Sequence, residues 1–243
     1  MRRGGWKGMF LLAVVLAAAL SLCYRTAEER GLLKTGTELE EELPLCSVKT
    51  EEQKAVFTFE VTYETKQASE LLNLLTQYGS SASFFVTGEW ARANPELAAE
   101  ILRLGNDVGF LGETCRDMSL LDRREAKEEL EAGRELLQSL QTQAGVRQEL
   151  LFRAPYGEIS DELLRQARSA GFTVIGWETD SLDWKGYGTD AVVKLVLQKN
   201  QLKKGTIVRF HADAEHTPEA VERILQEMKK TGWQTASFSC LEG

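Results

Sequence analysis

Residues 55–86 read AVFTFEVTYETKQASELLNLLTQYGSSASFFV, and the reading of this stretch decides the fold. AVFTFE (55–60) is apolar and aromatic almost throughout, as a buried strand is. ASELLNLLTQY (68–78) spaces its apolar residues three and four apart, which lines one face of a helix. ASFFV (82–86) is a second strand. Strand, amphipathic helix and strand in succession is the unit of a parallel α/β fold.

The pattern continues outward from there. PELAAEILRLG is helical, with Asn94 as the expected N-cap and Pro95 in the first turn. DVGF (107–110) is a strand, and a long charged helix is expected near 122–143. LLFRAP (150–155) is a fourth strand, followed by the helix ISDELLRQARSAG, closed by Gly171. FTVIGWE (172–178) is the fifth strand. GTDAVVKLVLQKN is a helix capped by Thr189 or Asp190. TIVRFH (206–211) is the sixth strand, TPEAVERILQEMKKTG a helix closed by Gly232, and WQTASFS (233–239) the seventh strand. About seven parallel strands with helices between them predict a deformed (β/α) barrel, with a doubly wound open sheet as the alternative. In both, function gathers at the C-terminal ends of the strands.

Totals narrow the function. The chain has 243 residues and a formal net charge of -8, which argues against a nucleic-acid partner. It holds only two histidines, His211 and His216, so a metal centre needing two must use both. Four cysteines, Cys23, Cys46, Cys115 and Cys240, form no CxxC pair. Cys46 and Cys240 flank the folded region; a disulfide between them and two free thiols are both open.

Arg2, Arg3 and Lys7 precede an apolar run from Met9 to Leu22. The run is short against the roughly 17–25 residues of a spanning helix. Residues 1–25 are therefore expected to be a signal-anchor, with a cleaved signal peptide as the alternative. Residues 26–50 are charged and are expected to form a solvated stalk. The domain proper is expected over 51–243, outside the cytoplasmic membrane.

Polar residues collect at the strand ends: Glu60, Cys115, Arg153, Asp180 and His211. Each alone has a bland explanation, such as a solvated strand end or a structural ion pair. Their shared placement favours a site.

The segments carrying these residues resemble the polysaccharide deacetylase family, the NodB-homology or carbohydrate esterase family 4 domain, over roughly residues 52–240. FRAPYG (152–157) resembles the family's R-x-P-Y-G. WETDSLDW (177–184) resembles its D-x-x-x-W segment, and GTIVRFH (205–211) the segment ending in L-x-H. TFEVT lines up with T-F-D-D-G, and GNDVGFLGETCRDMSLL with the family's histidine segment. The resemblance implies a zinc or other divalent metal held by one aspartate and two histidines, with an aspartate as base and a histidine as acid. On this sequence the base position is Glu60, the acid His211, its tuning partner Asp180 and the orienting arginine Arg153. Tyr156 and Trp184 would line the substrate groove. The metal positions fall on Val61, Leu111 and Cys115, which do not support a metal, so no cofactor is expected.

A catalytic zinc normally has three protein ligands, so one thiol cannot replace it. Loss of metal assistance and a longer base arm together make ordinary amide hydrolysis implausible. The expectation is a membrane-anchored, deacetylase-like protein at the cell wall that binds a glycan or an envelope protein. The alternative is an active carbohydrate de-N-acetylase with a rebuilt or metal-free site. A thiol-based function at Cys115 is a third hypothesis, which its apolar neighbours disfavour.

Overall fold

A computed structural model describes residues 43–63, 65–199 and 202–242. The expected anchor and most of the expected stalk lie outside the described residues. Among the described residues no helix is long and apolar enough to cross a membrane.

The strands are β1 (Lys54–Val61), β2 (Ser83–Val86), β3 (Asp107–Phe110), β4 (Leu151–Phe152), β5 (Thr173–Val174), β6 (Thr179–Asp180), β7 (Ile207–His211) and β8 (Gln234–Ala236). They pair in parallel in the order β5-β4-β3-β2-β1-β7-β6, with β8 paired to the start of β1. The sheet curls into an incomplete barrel, as expected, with β5 and β6 as the two strands that do not meet.

The helices are α1 (Thr65–Gln77), α2 (Gly88–Ala93), α3 (Pro95–Arg103), α4 (Arg123–Ala144), α5 (Asp161–Ser169), α6 (Thr189–Lys194), α7 (Thr217–Lys230) and α8 (Phe238–Glu242). Each longer helix buries one stripe: Ala68, Leu71, Leu72 and Leu75 on α1, and Ala126, Leu130, Gly133, Leu137 and Leu140 on α4. Helix α4 starts on a capping box made by Asp122 and Glu125 and ends on Gly145. Its Gly133 admits the Phe110 ring, because a Cβ there would lie 2.5 Å from that ring.

Strand alternation sorts β1 and β7 into two faces. Phe57, Phe59 and Val61 of β1, with Val208 and Phe210 of β7, pack in the large core that includes the helices. Val56 and Ile207 pack instead with Phe85, Leu111, Leu151, Ile175 and Phe238 in a smaller apolar cluster. Thr58, Glu60, Arg209 and His211 continue that second face toward the strand ends. The barrel interior thus turns from apolar to polar within two strand steps.

Four sequence expectations change. FTVIGWE is not one strand: only Thr173–Val174 pair with β4, as β5, and the chain forms a separate strand just beyond it, β6, which pairs with β7. The last strand stops at Ala236 and the chain turns into α8. Asn94 makes no side-chain cap on α3; its amide donates back to the Trp90 carbonyl at 3.0 Å, closing α2. Helix α6 is capped by Gly188, while Thr189 and Asp190 reach across to Glu219 and Arg223 of α7.

The fold also begins earlier than residue 51. Leu45 bridges Ile175 and Ser47 bridges Thr206, and Val48 is buried. The Leu45 N–H donates to the Val174 carbonyl at 2.8 Å, and Ile207 N–H to the Cys46 carbonyl at 3.3 Å. This strap lies along the open edge at β5 and the start of β7. Gly205 (φ +74°) permits it, since a Cβ there would meet the Val48 carbonyl at 1.8 Å. Cys46 and Cys240 are exposed free thiols.

Candidate active site

Glu60 ends the interior face of β1 and is almost fully buried. Two guanidinium groups meet it. Arg153, from the end of β4, is fully buried, with Nη1 3.5 Å from Glu60 Oε1. The rest of Arg153 is held by backbone: Nε donates to the Ile175 carbonyl at 3.3 Å and Nη2 to the Gly176 carbonyl at 2.8 Å. Nη1 donates to Thr58 Oγ1, and the group lies 4.2 Å over the Phe85 ring. Burial pulls the Arg153 pKa down to about 10 against the opposing pull of Glu60, so the group stays cationic at neutral pH.

Arg209 is the second guanidinium, and sequence reading passed over it. It stands on β7 two residues before His211, so alternation puts both on the interior face. Its Nη2 donates to Glu60 Oε2 at 3.2 Å and contacts His211 Nε2 at 2.9 Å. Nε lies 2.8 Å from Glu60 Oε1 without the aim of a hydrogen bond, so that contact is ionic only. Nη1 is 3.5 Å from Asp180, and the group stacks on Trp177 at 4.2 Å.

Because a guanidinium only donates, His211 Nε2 accepts from Arg209. The ring proton therefore sits on Nδ1, which lies 2.8 Å from Asp183 Oδ1. This corrects the expected partner. Asp183, not Asp180, holds His211; it also accepts from the His211 backbone N–H at 2.7 Å and from Thr217 Oγ1 at 2.6 Å. Asp180 caps Leu182 N–H and faces Arg209. The cause is the turn at Asp183–Lys185, bracketed by Leu182 and Gly186 at positive φ. That turn drives Asp183 inward and throws Trp184 outward.

The three expected metal positions do not make a donor set. Val61 packs in the large core and Leu111 in the smaller one, and both side chains are carbon only. Among the described residues no three His, Cys, Asp or Glu side chains converge as metal ligands. His216 instead precedes the first turn of α7. Cys115 is half-buried at φ 57°. Burial pushes its thiol up, Glu60 adds to this and Arg209 offsets part of it, leaving the pKa at about 11. At pH 8 Cys115 is therefore expected to alkylate roughly a hundredfold more slowly than an unperturbed thiol. Peptide mapping after iodoacetamide should find Cys46 and Cys240 labelled first; rapid labelling of Cys115 would contradict the buried, protonated thiol.

Exposed aromatic residues ring this centre. Tyr63 follows β1, Tyr156 follows β4, and Trp184 and Tyr187 follow β6. Lys185 lies 5.1 Å over the Trp184 ring and 6.0 Å from that of Tyr187. The sequence-predicted Tyr156 and Trp184 thus stand at the mouth of the site, while Glu60, Arg153 and His211 meet inside it. The residues missed were Arg209, Asp183 and Trp177.

Comparison with known proteins bears on the fold and the family. The family model described as polysaccharide deacetylase matches residues 47–175. A peptidoglycan-N-acetylglucosamine deacetylase of Bacillus cereus is 29% identical over 199 residues, covering 79% of this chain and 89% of that protein. The structure of a peptidoglycan deacetylase from Bacillus subtilis superposes with a TM-score of 0.70 at 27% identity, covering 80% of this chain and 92% of that one. A pseudoenzyme of carbohydrate esterase family 4 from Bacillus anthracis shares the fold at a TM-score of 0.74 and 23% identity, covering 83% and 69%. With the matched segment running from the strap through β5, this chain belongs to the polysaccharide deacetylase family.

Proposed function

We propose that this protein is a deacetylase-like glycan-binding protein without metal-dependent hydrolysis, held outside the cytoplasmic membrane by its N-terminal segment. One observation carries the reading: Arg209 Nη2 joins the base position Glu60 to the acid position His211, whose Nε2 and Oε2 atoms are 3.6 Å apart. Hydrolysis needs a water and a carbonyl carbon between base and acid, and the guanidinium takes that place. The ring nitrogen that would donate a proton to the leaving amine is here an acceptor. The carbon side chains at Val61 and Leu111 support the same reading.

The proposed ligand is an acetylated cell-wall glycan, since several relatives are named as peptidoglycan deacetylases. Tyr156 and Trp184, with Tyr63 and Tyr187, offer flat apolar faces on which sugar rings stack. An envelope protein docking on the same rim is the second possible partner. By analogy with anchored family members, the setting is sporulation or envelope maturation.

The test is acetate release from N-acetylated chito-oligosaccharide and from peptidoglycan, with zinc or cobalt present. No release is expected from the folded protein. Release that disappears in His211→Ala would instead establish the alternative, an active de-N-acetylase with a rebuilt site, for which the intact His211–Asp183 pair is the favouring observation.

A further inference from the structure

In the L-x-H pattern that residues 205–211 resemble, the leucine position falls on Arg209, which is a cation. Val61 and Leu111 offer no donor beside it. We infer that Arg209 is a resident cation that replaces the metal in the charge balance of this site, and that it excludes a divalent ion independently of the missing ligands. This rests on the metal-free reading above and goes beyond it, because it assigns the exclusion to a residue outside the ligand positions.

The geometry supports this on two counts. A metal would neutralise the base carboxylate; here Glu60 is neutralised by Arg209 at 2.8 and 3.2 Å and by Arg153 at 3.5 Å. Second, the guanidinium cannot easily swing out. Its side chain is only 10% exposed, stacked on Trp177 and tied to Glu60, His211 and Asp180. A divalent ion entering beside it would face a like charge a few ångströms away in a partly buried setting, where such repulsion is weakly screened.

The experiment is zinc uptake by equilibrium dialysis with metal analysis, on the full chain in three forms. These are the wild type, the triple variant Val61→Asp/Leu111→His/Cys115→His, and the same variant with Arg209→Leu. The expected result is no site-bound zinc in the first two and one zinc per chain in the third, bound at least about a hundredfold more tightly than by the triple variant. Stoichiometric zinc in the triple variant with Arg209 present would overturn the inference. So would a folded quadruple variant that takes up none. Zinc in the wild type that disappears in Glu60→Gln would sink the underlying metal-free reading instead.

Two of those substitutions bury polar groups, so a second measurement does not depend on them. With only two histidines in the chain, ¹⁵N spectra of the wild type and of His216→Ala assign His211 directly. The resident cation requires the Nδ1–H form, with Nε2 accepting. In Arg209→Leu that Nε2 resonance is expected to shift as its donor is lost. A wild-type His211 protonated on Nε2, or an Nε2 resonance unmoved by Arg209→Leu, would also overturn the inference.

Discussion

Replacing Glu60 with glutamine is expected to destabilise the fold by about 3–5 kcal/mol, the usual cost of stranding a buried charge. Here two charges are stranded. Arg153 is fully buried and Arg209 nearly so, and Glu60 is the carboxylate they share. Without it the two guanidinium groups face each other across the barrel interior. In a domain of this size that loss corresponds to a fall in melting temperature of roughly 10 °C. The informative comparison is the double variant Glu60→Gln/Arg209→Leu, which removes one of the stranded cations. It should be more stable than the sum of the two single effects predicts, by at least about 1 kcal/mol in a denaturant-based double-mutant cycle. Additivity would mean that the two residues do not share an interaction.

Asp183→Ala is expected to cost a similar amount, about 3–5 kcal/mol. It removes the acceptor for the His211 backbone N–H, the His211 ring and Thr217, all in a dry setting. Asp180→Ala should cost only about 1 kcal/mol, because that carboxylate is partly exposed and its contact with Arg209 is long. The pair discriminates the observed partner of His211 from the one the sequence suggested. Asp183 also gives stability a sign with pH. Burial raises its pKa, but the hydrogen bonds from His211 and Thr217 more than offset this, so the net shift is downward. A carboxyl depressed in the folded state contributes stability that is present above its unfolded value near 4 and lost as pH falls through its folded value. The wild type should therefore lose stability on acidification below about pH 4, and Asp183→Ala should lose less over the same range. Parallel acid profiles for the two proteins would remove Asp183 from this role.

The parts of the fold written in composition were readable. Strands β1, β2, β3 and β7 are mostly apolar runs, and helices α4 and α7 carry regular stripes. What failed were places where tertiary partners decide. FTVIGWE looks like one strand, but after Val174 the Gly176 N–H donates to the Leu45 carbonyl of the strap and the chain leaves β4. Nothing local announces that a segment more than a hundred residues away will take that bond. Asp180 and Asp183 are equally acidic on paper, and only the left-handed Leu182 decides which one turns inward. Arg209 was different, because its signal was present. VRFH in a strand puts Arg209 and His211 on the same face, and a reading confined to strand ends overlooked the parity.

The strap has a mechanical consequence. Leu43–Val48 lies across the one seam where the curled sheet fails to close, bonded to the β5 edge on one side and to the start of β7 on the other. Tension applied to the chain from its N-terminal side would load these few hydrogen bonds before any other part of the barrel. The seam would yield by peeling, one bond at a time, which takes less force than shearing several at once. Once the strap had peeled, the β5 edge would be bare and ready to pair with a foreign strand. A pull on this protein would therefore be registered at the seam between β5 and β6, well before the main core yields.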